Sequence, residues 1–393
     1  MDTVAKCFSS PSESTTTAVV ATTVITTLAL ASLTRFALWP RKPQVIPGAL
    51  RSSAPGLSKE ELAKATYRTD HFPGARDVVT PYGTIRVYEF GPEQGRKVLL
   101  VHGISTSCMT LSDIANALVD KGCRVMMFDL FGRGFSDAPG DLPYDTRLFM
   151  SQVLLVLASS PLAWTGNNAF SLIGYSLGGG IAVNFAATFP DMVEFLLLLS
   201  PAGLIRAENI GRLSRLVFTS GLVPERLLAW MTKGRLRKPI DNAVSKRRSA
   251  ASQTLAPVEE KEDFIDLAVQ EAVDPPKQQS PTPFELDVAS FVYWSIDNNE
   301  GFVPAMMSTI RYGPLMEQQD DWRMLAKRKP GTTAVLIGQD DNLVQPQDYE
   351  EDALPLIGGK DNVFWRLVPG AHNFPFTHPR SALKEIYQFL GME

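Results

Sequence analysis

From Asp77 onward, short runs of consecutive apolar residues take turns with segments whose apolar residues recur every three to four positions. The first kind reads as strands covered on both faces, the second as helices that bury one stripe. Asp77–Thr80 and Thr84–Phe90, joined through Pro81-Tyr82-Gly83, predict a hairpin. Strand-like runs follow at Val98–Val101, Arg124–Phe128, Phe170–Gly174 and Glu194–Leu199. Helical spacing over Thr110–Lys121, Asp145–Ser159 and Leu177–Phe189 separates them. The pattern breaks at Ser200-Pro201-Ala202-Gly203 and resumes with Thr333–Ile337, a helix around Gln347–Leu354, a strand Val363–Val368 and a helix Ser381–Leu390. Such alternation predicts an α/β protein with a mostly parallel sheet and helices on both faces.

The interruption, residues 202–325, is too long for an ordinary connection. Helical stretches at Ile210–Ser220, Pro224–Lys233, Pro257–Val273 and Pro283–Asn298 predict a mostly helical cap. Its apolar residues, Ile210, Leu213, Leu216, Val217, Leu227, Leu228, Trp230 and Met231 among them, read chiefly as cap core. Some would line an apolar substrate cavity. Which residues bind substrate is not readable from 202–325. A basic stretch (Lys233, Arg235, Arg237, Lys238, then Lys246–Arg248) reads as solvated surface, with the acidic run Glu259–Asp263 nearby. The sheet is thus expected in two parts, 76–201 and 326–393. Residues 51–75 are expected as a polar linker, with a short helix near Ser58–Thr66 that Ser58 caps and Glu61 closes three residues on.

The first fifty residues follow a different pattern. Ser14–Thr34 carries no charge, and at about 1.5 Å per residue it is long enough to cross a hydrocarbon core of about 30 Å. Its threonine hydroxyls can bond carbonyls one turn back. Arg35 and Trp39 through Lys42 follow as interfacial anchors. The expectation is a single membrane span over about 15–38 within an anchor-and-flank segment 1–50. The excess of Arg and Lys after the span places the remainder in the cytosol. Ala29-Leu30-Ala31 offers the competing reading, a cleaved signal and a secreted protein.

Composition narrows the function. The chain has 393 residues, 45% hydrophobic and 20% charged, with a formal charge of −4. This excludes a mostly disordered or collagen-like chain and leaves no basic footprint for nucleic acid. Cys7, Cys108 and Cys123 are too few and too scattered for a disulfide framework. No metal-ligand spacing and no strand-borne G-x-G-x-x-G appear, so neither a metal nor a nucleotide cofactor is expected. No other cofactor is expected.

Phe170-Ser-Leu-Ile-Gly174-Tyr-Ser176-Leu177-Gly178-Gly179 places G-x-S-x-G between a predicted strand and a predicted helix. In so sharp a turn, residues two before and two after the serine must be small, which Gly174 and Gly178 satisfy. A serine hydroxyl needs a base to take its proton, and the chain has four histidines. His71 lies before the sheet, His102 ends a strand, and His378 precedes Pro379 as a turn or capping residue. His372, after the last strand in Val368-Pro-Gly-Ala-His372, sits over the sheet's carboxyl edge and is the candidate base. Leu336-Ile-Gly338-Gln-Asp340-Asp341-Asn-Leu-Val344 supplies the orienting carboxylate. The form G-x-x-D-x-x-V selects Asp341, with Asp340 the alternative.

The order Ser176, Asp341, His372, with Val101-His102-Gly103 and Asp129-Leu-Phe-Gly132-Arg-Gly134-Phe-Ser136, resembles the α/β-hydrolase family over 77–200 and 332–390. The resemblance implies an eight-stranded sheet and a helical cap over the active site. It also implies an oxyanion hole from the backbone N–H groups of Ile104 and Leu177, with His102 and Gly103 shaping that loop. Asp129 and Ser136 take structural roles in the neighbouring loop. With an anchor, the pattern is similar to membrane-bound monoacylglycerol lipases of this family. The implied activity is hydrolysis of an ester with a small hydrophobic acyl substrate. Two alternatives stay open: a carbon–carbon bond or secondary-metabolite hydrolase on the same residues, and a non-catalytic hydrolase-like receptor.

Overall fold

A computed structural model describes residues 13–38, 43–62, 64–206, 227–234, 236, 271 and 282–392. The expected cap helix at 210–220, that at 257–273 apart from Glu271, the residues 39–42 flanking the anchor and most of the basic stretch lie outside them.

Among the described residues ten strands form two sheets. The large one comprises β2 (Ala75–Thr80), β3 (Gly83–Phe90), β4 (Lys97–Val101), β5 (Arg124–Phe128), β7 (Phe170–Tyr175), β8 (Val193–Leu199), β9 (Thr333–Gly338) and β10 (Phe364–Val368). Its order is β10-β9-β8-β7-β4-β5-β3-β2. Only the β2–β3 and β3–β5 pairs are antiparallel. This is the expected eight-stranded, mostly parallel sheet. Two-residue strands β1 (Val45–Ile46) and β6 (Ala138–Pro139) pair separately, and no sequence pattern marks strands so short.

The central strands are apolar because both faces are covered. β7 and β9 are buried at every position, and β4 at all but its first. Edge strand β2 alternates half-buried and exposed residues and leaves Val79 83% exposed, with Arg76 and Asp77 charging that edge. Helices α3 (Ser112–Asp120) and α4 (Thr146–Ala158) follow their strands as expected, the latter capped by the Asp145 side chain on the Leu148 amide. Helix α5 (Leu177–Thr188) has no polar stripe, and its residues 177–186 are all buried. It lies between β7 and the helix Gln319–Leu325, which seats Trp322 in the core.

The expected linker is corrected. Its short helix α2 (Lys59–Leu62) exists with the reciprocal Ser58–Glu61 capping bonds, but the segment is pinned to the core by a few buried side chains. Tyr67 and Phe72 are buried. Tyr67 stacks on Phe135 at 5.0 Å and meets Phe291 edge-on at 5.0 Å. Arg51 reaches Asp137 at 2.6 Å, where the Gly48 and Thr84 amides also donate. Residues that look isolated in a polar stretch are thus buried by partners far along the chain.

Within the insertion, Pro283–Asn298 is helical as expected, with Thr282 and Glu285 forming a reciprocal capping box. It is followed by a helix Phe302–Tyr312. In the helical residues 227–234, Leu228 is buried, whereas Leu227, Trp230 and Met231, expected in the cap core, are 48%, 73% and 42% exposed. The N-terminal helix, Glu13–Leu38, contains a 20-residue span, Thr16–Arg35, with mean hydropathy 1.7 and no buried residue. Thr22, Thr23 and Thr34 bond the carbonyls four residues back, at 2.7–2.9 Å. The span is long and apolar enough to cross a membrane, and a signal sequence passes the same test.

Candidate active site

The site lies past the carboxyl ends of β4, β7, β9 and β10, where open parallel sheets present their loops. β7 runs directly into α5 through Ser176, whose φ of 53° and ψ of −121° lie in a region that a side chain rarely occupies. Holding a serine there costs about 1–3 kcal/mol, which the surrounding packing must offset. The close approach behind it explains the flanking glycines. A Cβ on Gly178 would stand 2.1 Å from the Val101 carbonyl, and one on Gly174 2.3 Å from the Gly178 carbonyl. The turn thrusts the hydroxyl out of the sheet and leaves the Leu177 amide at the first position of a helix, where amides have no intrahelical acceptor.

His372 arrives on the loop after β10. Its Nε2 lies 3.0 Å from Ser176 Oγ and its Nδ1 2.9 Å from Asp341 Oδ2. The three side chains are all but sealed from solvent. Asp341 Oδ1 accepts the Leu343 and Val344 amides at 2.9 and 2.8 Å, so both carboxylate oxygens are used. Asp340 is exposed, and it is Asp341 that bonds the imidazole. Of the two carboxylates left open by sequence, the structure brings Asp341 to the imidazole. His71 bonds Ser112 Oγ and His378 contacts Thr377 Oγ1, neither of them at the site.

His102 is buried at the end of β4. Its Nδ1 bonds the Gly103 carbonyl at 2.9 Å and its Nε2 accepts the Leu130 amide at 2.9 Å. These partners fix a neutral ring protonated on Nδ1. Burial, with Arg133 nearby, pushes its pKa down to about 3. It props two loops together. Beneath, Asp129 accepts the Cys108 and Phe135 amides at 3.1 and 3.0 Å and the Tyr67 hydroxyl at 3.3 Å. Burial still lifts its pKa to about 6. Ser136 Oγ bridges the Asp129 carbonyl and the Arg86 amide.

His102, Cys108 and Asp129 lie close enough for a metal ion, their ligand atoms within 4.8 Å of one another. Both imidazole nitrogens and both Asp129 oxygens are already engaged, so the group fits a hydrogen-bonded brace better than a cation site. No other such group occurs among the described residues.

The loop after β4 holds what sequence reasoning missed. The Ile104 amide donates not to open space but to Glu271 Oε2, at 2.7 Å. The Ser105 amide donates to the same oxygen at 3.3 Å, and Thr106 Oγ1 to Oε1 at 2.8 Å. Arg133, fully buried, spans the back of this loop through the Ile104 and Phe131 carbonyls and Thr309 Oγ1. Its sequence signal was the Gly-Arg-Gly turn, read only as loop shape; Glu271 left only a lone acid in the apolar stretch Leu267–Val273.

Comparison with known proteins gives one picture. A sequence profile of the alpha/beta hydrolase fold matches residues 97–379. The serine hydrolase-like protein of Danio rerio is 33% identical over 129 residues, 33% of this chain and 38% of that protein. Its Homo sapiens namesake is 33% identical over 139 residues, 35% of this chain and 65% of that protein. The chain therefore matches less than two thirds of either relative's length. Among solved structures, a carboxylesterase from Bacillus subtilis superposes with a TM-score of 0.54 at 16% identity, over 84% of this chain and 94% of that one. A bacterial membrane phospholipase A gives 0.55 at 18% identity, over 96% and 99%. At such identities the likeness is one of fold. The profile spans most of the chain, and with the sheet order and the strand–serine–helix turn it makes this protein a member of the alpha/beta hydrolase fold family.

Proposed function

We propose that the chain is a serine hydrolase that cleaves a carboxylic ester with a hydrophobic acyl part. The observation that carries this reading is the continuous bonding from Ser176 Oγ through His372 to Asp341 on the strained turn. Ser176 attacks the acyl carbon while His372 Nε2 takes its proton, and Asp341 holds the ring and stabilises the imidazolium. The tetrahedral oxygen is received by the Ile104 and Leu177 amides, each worth about 3 kcal/mol by analogy with single-donor losses. His372 then protonates the departing alcohol. Water, deprotonated by the same nitrogen, releases the acid from the acyl-enzyme.

The N-terminal helix is read as a retained membrane anchor, with the hydrolase in the cytosol. Its unburied apolar length supports the anchor. Partition of an amphiphilic ester into the bilayer would then concentrate substrate near the enzyme. Sedimentation with membranes after a carbonate wash is the expected behaviour, and a soluble, shortened chain would overturn it.

A fluorophosphonate probe tests the chemistry. The full chain should be labelled at Ser176 and Ser176→Ala should not. An ester series of rising acyl length, including monoacylglycerols, should show a long-chain preference. An unlabelled wild type that turns over no ester would sink the proposal.

A further inference from the structure

Glu271 is a carboxylate with no exposed surface, held by three donors at the position where the loop after β4 would receive a substrate oxygen. Gly103 makes room for it. A Cβ there would stand 1.7 Å from Glu271 Oε1, so the missing side chain is the space that the carboxylate fills. Of the two amides that would hold a tetrahedral oxyanion, Ile104 thus gives its hydrogen bond to an oxygen of the protein itself. An anionic carboxylate oxygen imitates the developing oxyanion in charge and hydrogen-bond demand, and such charge-assisted bonds are the strong kind. The residues facing it carry complementary charge or donors: His372 and buried Arg133 lie within electrostatic reach, and both interactions favour its anionic form. Burial opposes them and raises its pKa.

We propose that Glu271 is a built-in competitor for the oxyanion hole, so that the enzyme is self-inhibited until substrate displaces this side chain. The inference rests on the hydrolase reading above. It implies that an ester must supply enough binding energy elsewhere, through its acyl chain against the cap, to expel a hydrogen-bonded carboxylate. Short esters would then be poor substrates because they cannot open the hole, whatever their intrinsic reactivity.

The test is the second-order rate of labelling by a small fluorophosphonate, measured on detergent-extracted full-length wild type, Glu271→Ala and Glu271→Gln, with a melting temperature for each. Glu271→Ala should label roughly 10–100-fold faster, the factor expected when charge-assisted bonds no longer have to be broken. Glu271→Gln keeps the shape without the charge and should fall between. Turnover of short esters should rise in the same order, with long-chain turnover changed least. If Glu271→Ala melts like wild type and labels no faster, the competitor role is overturned. If Glu271→Ala does not fold, Glu271→Gln decides, and a rate at or below wild type overturns it. Labelling of none of the three would overturn the hydrolase reading itself, whereas labelled wild type with unchanged variants overturns only the role of Glu271.

Discussion

Past the ends of β7, β9 and β10, Ser176, His372 and Asp341 are joined by hydrogen bonds of 3.0 and 2.9 Å, whereas past β4 the Ile104 and Ser105 amides are spent on Glu271. If the proposed mechanism holds, the proton-handling half of the cleft is assembled and the charge-receiving half is occupied. The difference follows from how each half is built. Ser176, Asp341 and His372 follow β7, β9 and β10 of one sheet, held in parallel register through β8, with β7 and β9 buried at every position, so their meeting is a property of the sheet. The amides after β4 belong to a loop whose occupant comes from 167 positions away. On the proposed reading, strand register positions the relay and the Glu271 side chain sets whether it can be used.

The largest break is on the assembled side. On the proposed mechanism Ser176→Ala removes the nucleophile and His372→Ala the base; each should cut kcat about a million-fold, because groups that act as a unit fail as one. Next, Asp341→Asn should lower kcat by about ten-thousand-fold through loss of the correct imidazole tautomer. Asp340→Asn, on an exposed side chain, should stay within about twofold, since a lone surface charge couples weakly to the site. Steady-state rates on one reactive ester compare all four. A larger loss in Asp340→Asn than in Asp341→Asn would reassign the acid and dissolve the contrast between the two halves.

The contrast also explains what was readable in the sequence. Strand runs, the Gly174–Gly178 turn, and the loops bearing Asp341 and His372 are local signals, each spelled within ten residues, and the sheet merely brings them together. The packing of residues 51–75 was not local. Tyr67 sits in a polar stretch, and partners from elsewhere, Tyr88, Asp129, Phe135 and Phe291 among them, explain its burial. Trp230 errs the other way, an apolar residue at helical spacing that ends up 73% exposed. Glu271 is the extreme case. A buried carboxylate has to find donors, but nothing near it in sequence says that they are the amides after β4.

Between the two halves stands His102, and acid should expose its role. Its folded pKa of about 3 lies below the ordinary 6.5, so the native state refuses a proton that the unfolded chain accepts. Its contribution to stability is whole above pH 6.5 and drains as pH falls toward 3, by up to about 5 kcal/mol. Asp129 works in the opposite sense. Its pKa is raised to about 6, so its contribution is whole below 3.8 and is lost as pH rises through 6. Urea midpoints at pH 7.5 and 4.5 separate the two. Wild type should lose more stability between those values than His102→Asn, which keeps an amide acceptor for Leu130 but cannot charge. Equal losses would show that the brace is not what acid breaks.

The smallest expected effect is the most discriminating about the occupied half. Among the described residues Thr106 Oγ1 is the one side-chain donor to Glu271, at 2.8 Å, whereas the other two donors are backbone amides that substitution cannot remove. Thr106→Val keeps the volume and deletes the donor. If the hydroxyl serves only to hold the carboxylate in place, the variant should label with a fluorophosphonate about three- to tenfold faster, the worth of one charge-assisted bond after water has competed for it. If instead the hydroxyl turns to the substrate oxygen once Glu271 has left, the same variant should lose turnover by a comparable factor, because a donor would then be missing from the transition state. The two signs cannot both hold on one substrate. In the Glu271→Ala background the first account predicts that Thr106→Val has no effect, and the second predicts its full loss, so the double variant measures whether this hydroxyl belongs to the competitor or to the chemistry.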